Sequence, residues 1–378
     1  MAAACRPITG ALSTPAPASA STGTAGTLVP VSRDLRIGLL GAAAIAPSAL
    51  IKPARLMPRV TVTAVAARDR QRAETFARKH GVPVVHADYE ALLADPQVDA
   101  VYVPLPNGLH AEWTLKALEA GKHVLCEKPF AANRAEAERV ADAADAAFER
   151  SGLVVMEAFH YRHHSLAERM RAIVAGGELG KLRHVEAEVC FPLPRLSDIR
   201  YDYALAGGAT MDAGCYAVHV ARLLGNGDPA VISARMLTLR KDPRIDRAMS
   251  AELEFPDGVT GRVRASMWSR RVLSIRARAV GSGGELSVTN FLMPQLYHRL
   301  TIRAPRGGGG RTVRHERVPR NPSSYACQLE AFAAAVLDGG PVLTSARDAV
   351  TNMGVLDSIY RASGLPLRGE SKDQAAAG

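Results

Sequence analysis

Residues 35–46 have the sequence LRIGLLGAAAIA. The first six are an apolar run with the length of a buried β-strand, Gly41 follows directly, and a helix-like segment comes next. A strand, a tight glycine turn and a helix form the first unit of a dinucleotide-binding fold, and its turn attracts a pyrophosphate. A full GxGxxG pattern would also place glycine where Ala43 and Ala46 stand. We therefore predict a cofactor turn at Gly41, Ala43 and Ile45, with a ligand-free turn as the alternative.

The second predicted strand, residues 60–66, ends where such domains distinguish NAD from NADP. An Asp or Glu there binds the ribose 2′-hydroxyl of NAD. In this chain the position is Ala67, followed by Arg68 and, one helical turn on, Arg72. A guanidinium matches a 2′-phosphate in charge and geometry, whereas a carboxylate repels it. The sequence favours NADP, with NAD still possible, and Asp69 is interpreted as a helix N-cap.

Strands and helices continue to alternate up to residue 157. Further strand-like runs lie at 98–104, 123–126 and 153–156, and helix-like runs lie at 113–120 and 131–150. This alternation predicts a parallel, doubly wound sheet, which binds ligands at the carboxyl ends of its strands. Several polar residues follow those strand ends, among them Asn107, His110, Glu127 and Lys128.

Composition excludes several classes of protein. The chain has 378 residues, 47% apolar and 22% charged, which excludes disorder throughout. Five cysteines without close pairing exclude a disulfide framework and favour a cytoplasmic protein. The net charge of +10 is spread without an aromatic-interleaved basic stripe, so no nucleic-acid partner is expected. A run of about 18 apolar residues is absent, so no membrane-spanning helix is expected.

The two ends of the chain differ from the rest. Residues 1–33 are mostly Ala, Ser, Thr, Pro and Gly, and cannot bury enough apolar area to offset the entropy of ordering. We predict a disordered tail there, with a targeting segment or an upstream start site as alternatives. Residues 366–378 are predicted to be a second disordered tail.

Three motifs carry a family resemblance. They are PLPNGLH at 104–110, AGKHVLCEKP at 120–129 and GGATMDAGCY at 207–216. Together they resemble the Gfo/Idh/MocA oxidoreductases over roughly residues 34–365. Val65–Asp69, Met156–Phe159 and the tyrosine at 216 are most similar to the branch that contains dimeric dihydrodiol dehydrogenase and NADP-dependent D-xylose dehydrogenase.

The resemblance implies two α/β domains. The first, residues 34–157, would be a Rossmann domain with a doubly wound parallel sheet. The second, residues 158–365, would bind substrate on a large, open, mostly antiparallel sheet, whose face would form a homodimer. The sequence is compatible with this, because strand-like runs occur at 182–192, 231–240, 251–255, 259–268, 272–280 and 285–289.

The resemblance also implies catalytic residues. Tyr216 matches the acid/base position of the family, and Lys128 is the neighbour expected to lower the pKa of its phenol. Whether the proton passes to Tyr216 or to Lys128 is left open. Asp212 lies four residues before Tyr216, on the same helical face. It would orient substrate or Lys128, and the alternative is a helix N-cap.

Further positions are assigned more generally. Expected cofactor contacts, besides the turn and Arg68, are Pro106, Asn107, His110 and Glu127, the last with a structural role as its alternative. Expected walls of the substrate site are Phe159, Arg162 and His219, although a buried helix histidine is an equal interpretation of His219. Arg200 is either a ligand of substrate hydroxyls or a surface residue. The HxxHH stretch at 160–164 is not interpreted as a metal site, because no further ligand cluster accompanies it.

These expectations define one function and one alternative. The protein would be an NADP-dependent dehydrogenase acting on a secondary alcohol or anomeric carbon of a small sugar, polyol or dihydrodiol. The alternative is a dinucleotide-binding sensor or regulator of the same fold without turnover. Sequence does not name the substrate, because pocket loops change while a fold persists.

Overall fold

A computed structural model describes residues 34–306 and 310–369. The first sheet contains β1 Leu35–Leu40, β2 Val60–Ala66, β3 Val84–Val85, β4 Ala100–Val103, β5 His123–Cys126 and β6 Val155–Glu157. These six strands are parallel and lie in the order β3-β2-β1-β4-β5-β6. The order reverses between β1 and β4, which is where open sheets of this kind bind their ligand.

Helices connect these strands. They are a π-helical turn Pro47–Ile51, α1 Lys52–Ala54, α2 Arg70–His80, α3 Tyr89–Leu93, α4 His110–Glu119 and α5 Arg134–Ser151. The turn after β1 depends on Gly41, whose φ of +103° lies in a region that other residues rarely adopt. Asp69 caps α2 by accepting a hydrogen bond from the Arg72 backbone N–H, as predicted.

The second sheet has eight strands. They are β7 Leu182–Cys190, β8 Ala230–Thr238, β9 Asp246–Glu254, β10 Thr260–Ser266, β11 Ser274–Gly281, β12 Glu285–Thr289, β13 Arg299–Arg306 and β14 Gly310–Glu316. Their order is β14-β13-β12-β11-β7-β10-β9-β8, and all pairs are antiparallel except β7 with β10. The predicted α/β fold, with a parallel sheet followed by an open, mostly antiparallel one, is confirmed.

Four helices accompany the second sheet. They are α6 Ser165–Ala175, α7 Cys215–Gly225, α8 Ser324–Asp338 and α9 Ala346–Ala362. α8 returns to the first sheet, because Leu329 and Phe332 share one buried cluster with Ile37 and Leu39 of β1. α9 packs against β8 of the second sheet and against α5 and β6, so it joins the two parts of the fold.

The C-terminal boundary lies later than predicted. Leu367 and Arg368 fall inside the expected tail 366–378, yet they are 7% and 0% exposed. These two residues are therefore packed into the fold, and composition does not reveal the partners that bury Arg368. The predicted tail 1–33 and residues 370–378 lie outside the described residues.

Candidate active site

Lys128 is the centre of a buried ion pair. It follows β5, and its Nζ lies 3.3 Å from Oδ1 of Asp212 and 3.1 Å from the Asp212 carbonyl oxygen. The two side chains are only 13% and 12% exposed. Burial alone would lower the pKa of Lys128, but the Asp212 carboxylate raises it above the ordinary 10.5. Lys128 is therefore an ammonium at neutral pH. The Lys128–Pro129 peptide bond is cis.

Asp212 comes from the second domain. It lies in a π-helical turn, Thr210–Gly214, that leads into α7. Its second oxygen, Oδ2, pairs with Nε of Arg200 at 3.3 Å. Although burial opposes ionisation, Lys128 and Arg200 hold the pKa of Asp212 below 3.8. Asp212 is an ionised bridge between two cations, and the alternative interpretation as a helix N-cap is wrong because its carboxylate binds side chains instead.

Tyr216 lies beside the ion pair. The centroid of its ring is 4.9 Å from Lys128 Nζ. The predicted lowering of its pKa is wrong in this structure, because burial raises the pKa of Tyr216 well above 10.0 while Lys128 is engaged with Asp212. Both Tyr216 and Lys128 are consequently protonated at neutral pH, and the site holds two proton donors beside one carboxylate.

Phe159 and His219 lie beneath Tyr216. Phe159 is 0% exposed and its ring is 5.2 Å from that of Tyr216. His219 stacks on Phe159 with ring centroids 4.1 Å apart. Its Nδ1 meets the Tyr161 hydroxyl at 2.6 Å, and its Nε2 meets Asp348 at 3.1 Å. Both side chains are packed against protein, and the substrate-binding roles expected for Phe159 and His219 remain predictions.

Arg162 is the least buried member of the predicted substrate wall. Its side chain is 13% exposed, and its nearest carboxylate, on Glu168, is 3.9 Å away. It lies on a 3₁₀ turn, His160–His163, directly after β6 and Phe159. Within the described residues, no group of three or more His, Cys, Asp or Glu side chains could hold a metal ion.

The glycine turn fits a bound dinucleotide. At Gly41 a Cβ atom would come within 3.1 Å of Leu105 and 3.7 Å of the Tyr89 hydroxyl, so a side chain would close the space above the turn. The side chain of Ile45 at this turn is 37% exposed. Ala43 is partly exposed beside it. The turn therefore presents Ala44 and Ile45 at the surface, which suits binding of a dinucleotide over the glycine turn.

Two arginines lie at the end of β2. Arg72 Nη2 donates to the Ala42 carbonyl oxygen at 2.9 Å, so it braces the glycine turn. Arg68 is exposed, whereas Ala67 is buried at 5% exposure. Both arginines lie near enough to Tyr89 to oppose the rise that burial causes in its pKa. Ala67 carries no carboxylate that would repel a 2′-phosphate, and the exposed Arg68 lies next to it.

The loop after β4 contacts the second domain. Asn107 Nδ2 donates to the Ala206 carbonyl oxygen at 3.2 Å. His110 is 1% exposed, and its ring nitrogens lie 2.7 and 2.8 Å from the carbonyl oxygens of Pro129 and Leu105. Burial lowers the pKa of His110 to about 4. Both ring nitrogens of His110 face backbone oxygens, and its contact with the cofactor remains a prediction.

Pro106 and Glu127 are two further residues for which a cofactor contact is predicted. Pro106 is partly exposed. Glu127 accepts a 2.6 Å hydrogen bond from the Tyr102 hydroxyl and a 3.2 Å bond from the Lys128 backbone N–H. Glu127 thus holds the backbone that presents Lys128, in line with its structural alternative. The sequence does not indicate this role of Tyr102, because the residue lies in an apolar strand without a motif of its own.

Comparison with known proteins agrees with this geometry. The family described as "Oxidoreductase family, NAD-binding Rossmann fold", Gfo/Idh/MocA, matches residues 35–157. The C-terminal domain of the same family matches residues 167–287. The chain belongs to the Gfo/Idh/MocA family. It is accordingly an NAD(P)-binding oxidoreductase, and the family resemblance found in the sequence is confirmed.

Several members of the family are similar along most of the chain. D-xylose 1-dehydrogenase (NADP(+)) 2 of Haloferax volcanii is 38% identical over 331 residues, covering 87% of this chain and 97% of that protein. Trans-1,2-dihydrobenzene-1,2-diol dehydrogenase of Sus scrofa is 37% identical over 240 residues, covering 62% of this chain and 69% of that protein.

A solved structure gives the same fold. KijD10, a 3-ketoreductase from Actinomadura kijaniata in complex with NADP and TDP-benzene, has a TM-score of 0.78 and 31% identity. The likeness covers 88% of this chain and 98% of that chain. In the described part of the present chain, no helix is long and apolar enough to cross a membrane.

Proposed function

We propose that the protein is an NADP-dependent dehydrogenase that interconverts a CH–OH group and a carbonyl on a small sugar, polyol or dihydrodiol. The observation that carries this proposal is the buried Lys128–Asp212 pair beside the Tyr216 ring. It places two proton donors at the carboxyl end of β5, where the fold binds its ligand. Relatives named for a sugar and for a dihydrodiol support the substrate class.

The residues act on the oxygen of the reacting carbon. When bound, the nicotinamide supplies or accepts the hydride. Tyr216 donates a proton to the substrate oxygen during carbonyl reduction, and its raised pKa keeps that proton in place beforehand. The Lys128 ammonium hydrogen-bonds the same oxygen and stabilises the negative charge that develops on it. In the oxidative direction the alcohol proton returns along the same route.

Asp212 fixes the direction of the ammonium. Its carboxylate and its backbone carbonyl both accept from Lys128 Nζ, which leaves the third donor of Nζ free for substrate. Arg200 neutralises the other carboxylate oxygen and is 44% exposed. A guanidinium at this border also suits hydrogen bonds to further hydroxyl groups of the substrate.

The residues that follow β2 support NADP as the cofactor. The exposed Arg68 follows Ala67, where an NAD-preferring domain would present a carboxylate. Arg72 supports these residues from the glycine turn. Gly41, Ala43, Ile45, Pro106 and Asn107 are proposed as the neighbouring contacts.

The proposal is tested by measuring nicotinamide absorbance with NADP+ and NAD+ against a panel of aldoses, polyols and dihydrodiols. We expect turnover with NADP+ and at least one member of the panel. Tight NADPH binding without turnover on any member would instead indicate a sensor or regulator. If neither cofactor binds, the assignment of the glycine turn as a dinucleotide site is wrong, and the proposed function is wrong with it.

Carbonyl reduction should show a broad pH plateau. The pKa values of Tyr216 and Lys128 are raised above 10.0 and 10.5, so both keep their protons up to alkaline pH. The pKa of Asp212 is lowered below 3.8, so its carboxylate stays ionised down to acidic pH. The value of kcat/KM for carbonyl reduction with NADPH should therefore not depend on pH between about pH 5 and pH 9. A rise or fall of kcat/KM with a midpoint near pH 7 would contradict these protonation states.

We also propose a cytoplasmic homodimer, joined through the outer face of the eight-stranded sheet. This face carries a ladder of opposite charges, in which Glu188 binds both Arg264 and Arg271. Leu237 of β8 is 52% exposed and lines, together with Arg235, a hollow of about 230 Å³. A second copy of the sheet would cover both features.

Leu237→Arg tests the dimer. The side chain is exposed, so the change should leave the protomer folded. Adding a positive charge to an arginine-rich contact should weaken dimerisation about tenfold or more. Analytical ultracentrifugation of wild type and variant at equal ionic strength measures the effect. A wild-type monomer, or a variant that dimerises like wild type, would refute this interface.

A further inference from the structure

Arg368, near the end of the described chain, is completely buried. It and Asp246 are each 0% exposed, and they form an ion pair with Nη2–Oδ1 at 2.9 Å. Its Nε also donates to the Gly207 carbonyl oxygen at 2.7 Å, and the guanidinium lies 4.2 Å from the Tyr360 ring centroid. Burying such a pair adds little net stability, because the cost of desolvation offsets the attraction. The ion pair instead fixes the positions of the residues that contact it.

The Asp246 carboxylate holds the start of the turn that presents Asp212. Its Oδ2 accepts hydrogen bonds from Thr210, from the backbone N–H at 2.6 Å and from the hydroxyl at 2.7 Å. Its Oδ1 accepts from the Tyr360 hydroxyl at 2.9 Å. Gly208 has a φ of +137°, and any side chain there would collide with this carboxylate. The Gly208 carbonyl in turn accepts the backbone N–H of Asp212 at 3.0 Å.

The same C-terminal segment is tied to the dinucleotide-binding domain. Asn133, the N-cap of α5, donates from Nδ2 to the Arg368 carbonyl oxygen at 2.7 Å. On the side of the second domain, the Tyr203 hydroxyl donates to the Leu367 carbonyl oxygen, also at 2.7 Å. Arg368 thus links the domain that carries Lys128 to the turn that carries Asp212.

We propose that Arg368 is a positioning residue of the active site. Through Asp246 and Gly207 it holds residues 207–214 in the geometry that places Asp212 against Lys128. Through its own carbonyl it keeps that turn in register with α5. Its effect on catalysis rests on the proposed function, whereas its hold on the turn does not.

Arg368→Lys is the test variant, because it keeps the charge but removes the fork that reaches Asp246 and Gly207 together. Arg169→Lys is the matched control. Arg169 pairs with Glu316 at 2.7 Å and with Glu178 at 2.8 Å, away from the turn. Amide hydrogen exchange over 207–214, the Kd for NADPH, and kcat are measured for both.

In Arg368→Lys, exchange over 207–214 should rise about tenfold, as expected for loss of a local restraint. kcat should fall about tenfold, because small displacements of positioned groups are costly. The Kd for NADPH should stay within about twofold, and Arg169→Lys should change none of these. A merely structural Arg368 would lower thermal stability and leave kcat per bound NADPH unchanged.

Unchanged exchange over 207–214, or increased exchange with unchanged kcat, would overturn the proposal. If Arg368→Lys does not fold, Tyr360→Phe removes only the hydrogen bond to Asp246 and should raise exchange about threefold. No change in that variant would overturn the proposal equally. If wild type shows no turnover, the proposed function fails, while the exchange measurement still decides whether Arg368 holds the turn.

Discussion

Lys128→Met is expected to lower kcat for NADPH-linked carbonyl reduction about 10³-fold, because it removes the charge that stabilises the developing oxyanion. The ammonium is buried against Asp212, so water does not replace it effectively. NADPH binding should persist, since the contact proposed for Lys128 is with the reacting oxygen of the substrate. Steady-state kinetics and fluorescence titration with NADPH measure the two effects separately.

Lys122→Met is the matched control for that variant. Lys122 precedes β5 just as Lys128 follows it, and its Nζ donates to the carbonyl oxygens of Asp95 and Val98 at 2.8 and 2.7 Å. Losing these bonds should reduce stability and leave kcat per folded enzyme unchanged. If Lys128→Met retains more than about a tenth of wild-type kcat, the role given to the ammonium is wrong.

Arg68→Ala is expected to raise the KM for NADP+ about 30-fold, the value of a charge-assisted hydrogen bond to phosphate. The KM for NAD+ should hardly change, because NAD+ has no 2′-phosphate. Arg72 should not compensate fully, since its guanidinium already binds the Ala42 carbonyl oxygen. The ratio of kcat/KM for the two cofactors is the quantity to measure.

Arg70→Ala provides the control for the cofactor experiment. Arg70 lies two residues along on the first turn of α2, is exposed and pairs with Glu74 at 3.1 Å. An equal loss in both variants would show that general positive charge, and not a site at Arg68, attracts the cofactor. An unchanged KM in Arg68→Ala would remove the basis for NADP preference.

The sequence predicted the fold well because its signals are local. The run 35–40, the turn at Gly41 and the alternation of strands with helices depend on near neighbours. Motifs also indicated Lys128 and Asp212, which the fold brings within 3.3 Å although 84 positions separate them.

Some properties of the site depend on tertiary packing, which local sequence patterns do not show. The sequence does not show that Tyr161 and Asp348 lie against the two ring nitrogens of His219. The phenol of Tyr216 was expected to titrate more easily, but burial raises its pKa. Arg368 was placed in a tail because no local pattern reveals a buried partner 122 positions away.

Deuterium transfer from NADPH labelled at the hydride position tests the central claim most directly. Wild type and Lys128→Met are incubated with a panel of aldoses and keto sugars, and the products are analysed by mass spectrometry. We predict one deuterium on the carbinol carbon of at least one wild-type product, and almost none with Lys128→Met. Absence of transfer by wild type, or equal transfer by the variant, would contradict the assignment of hydride chemistry to the Lys128–Asp212 site.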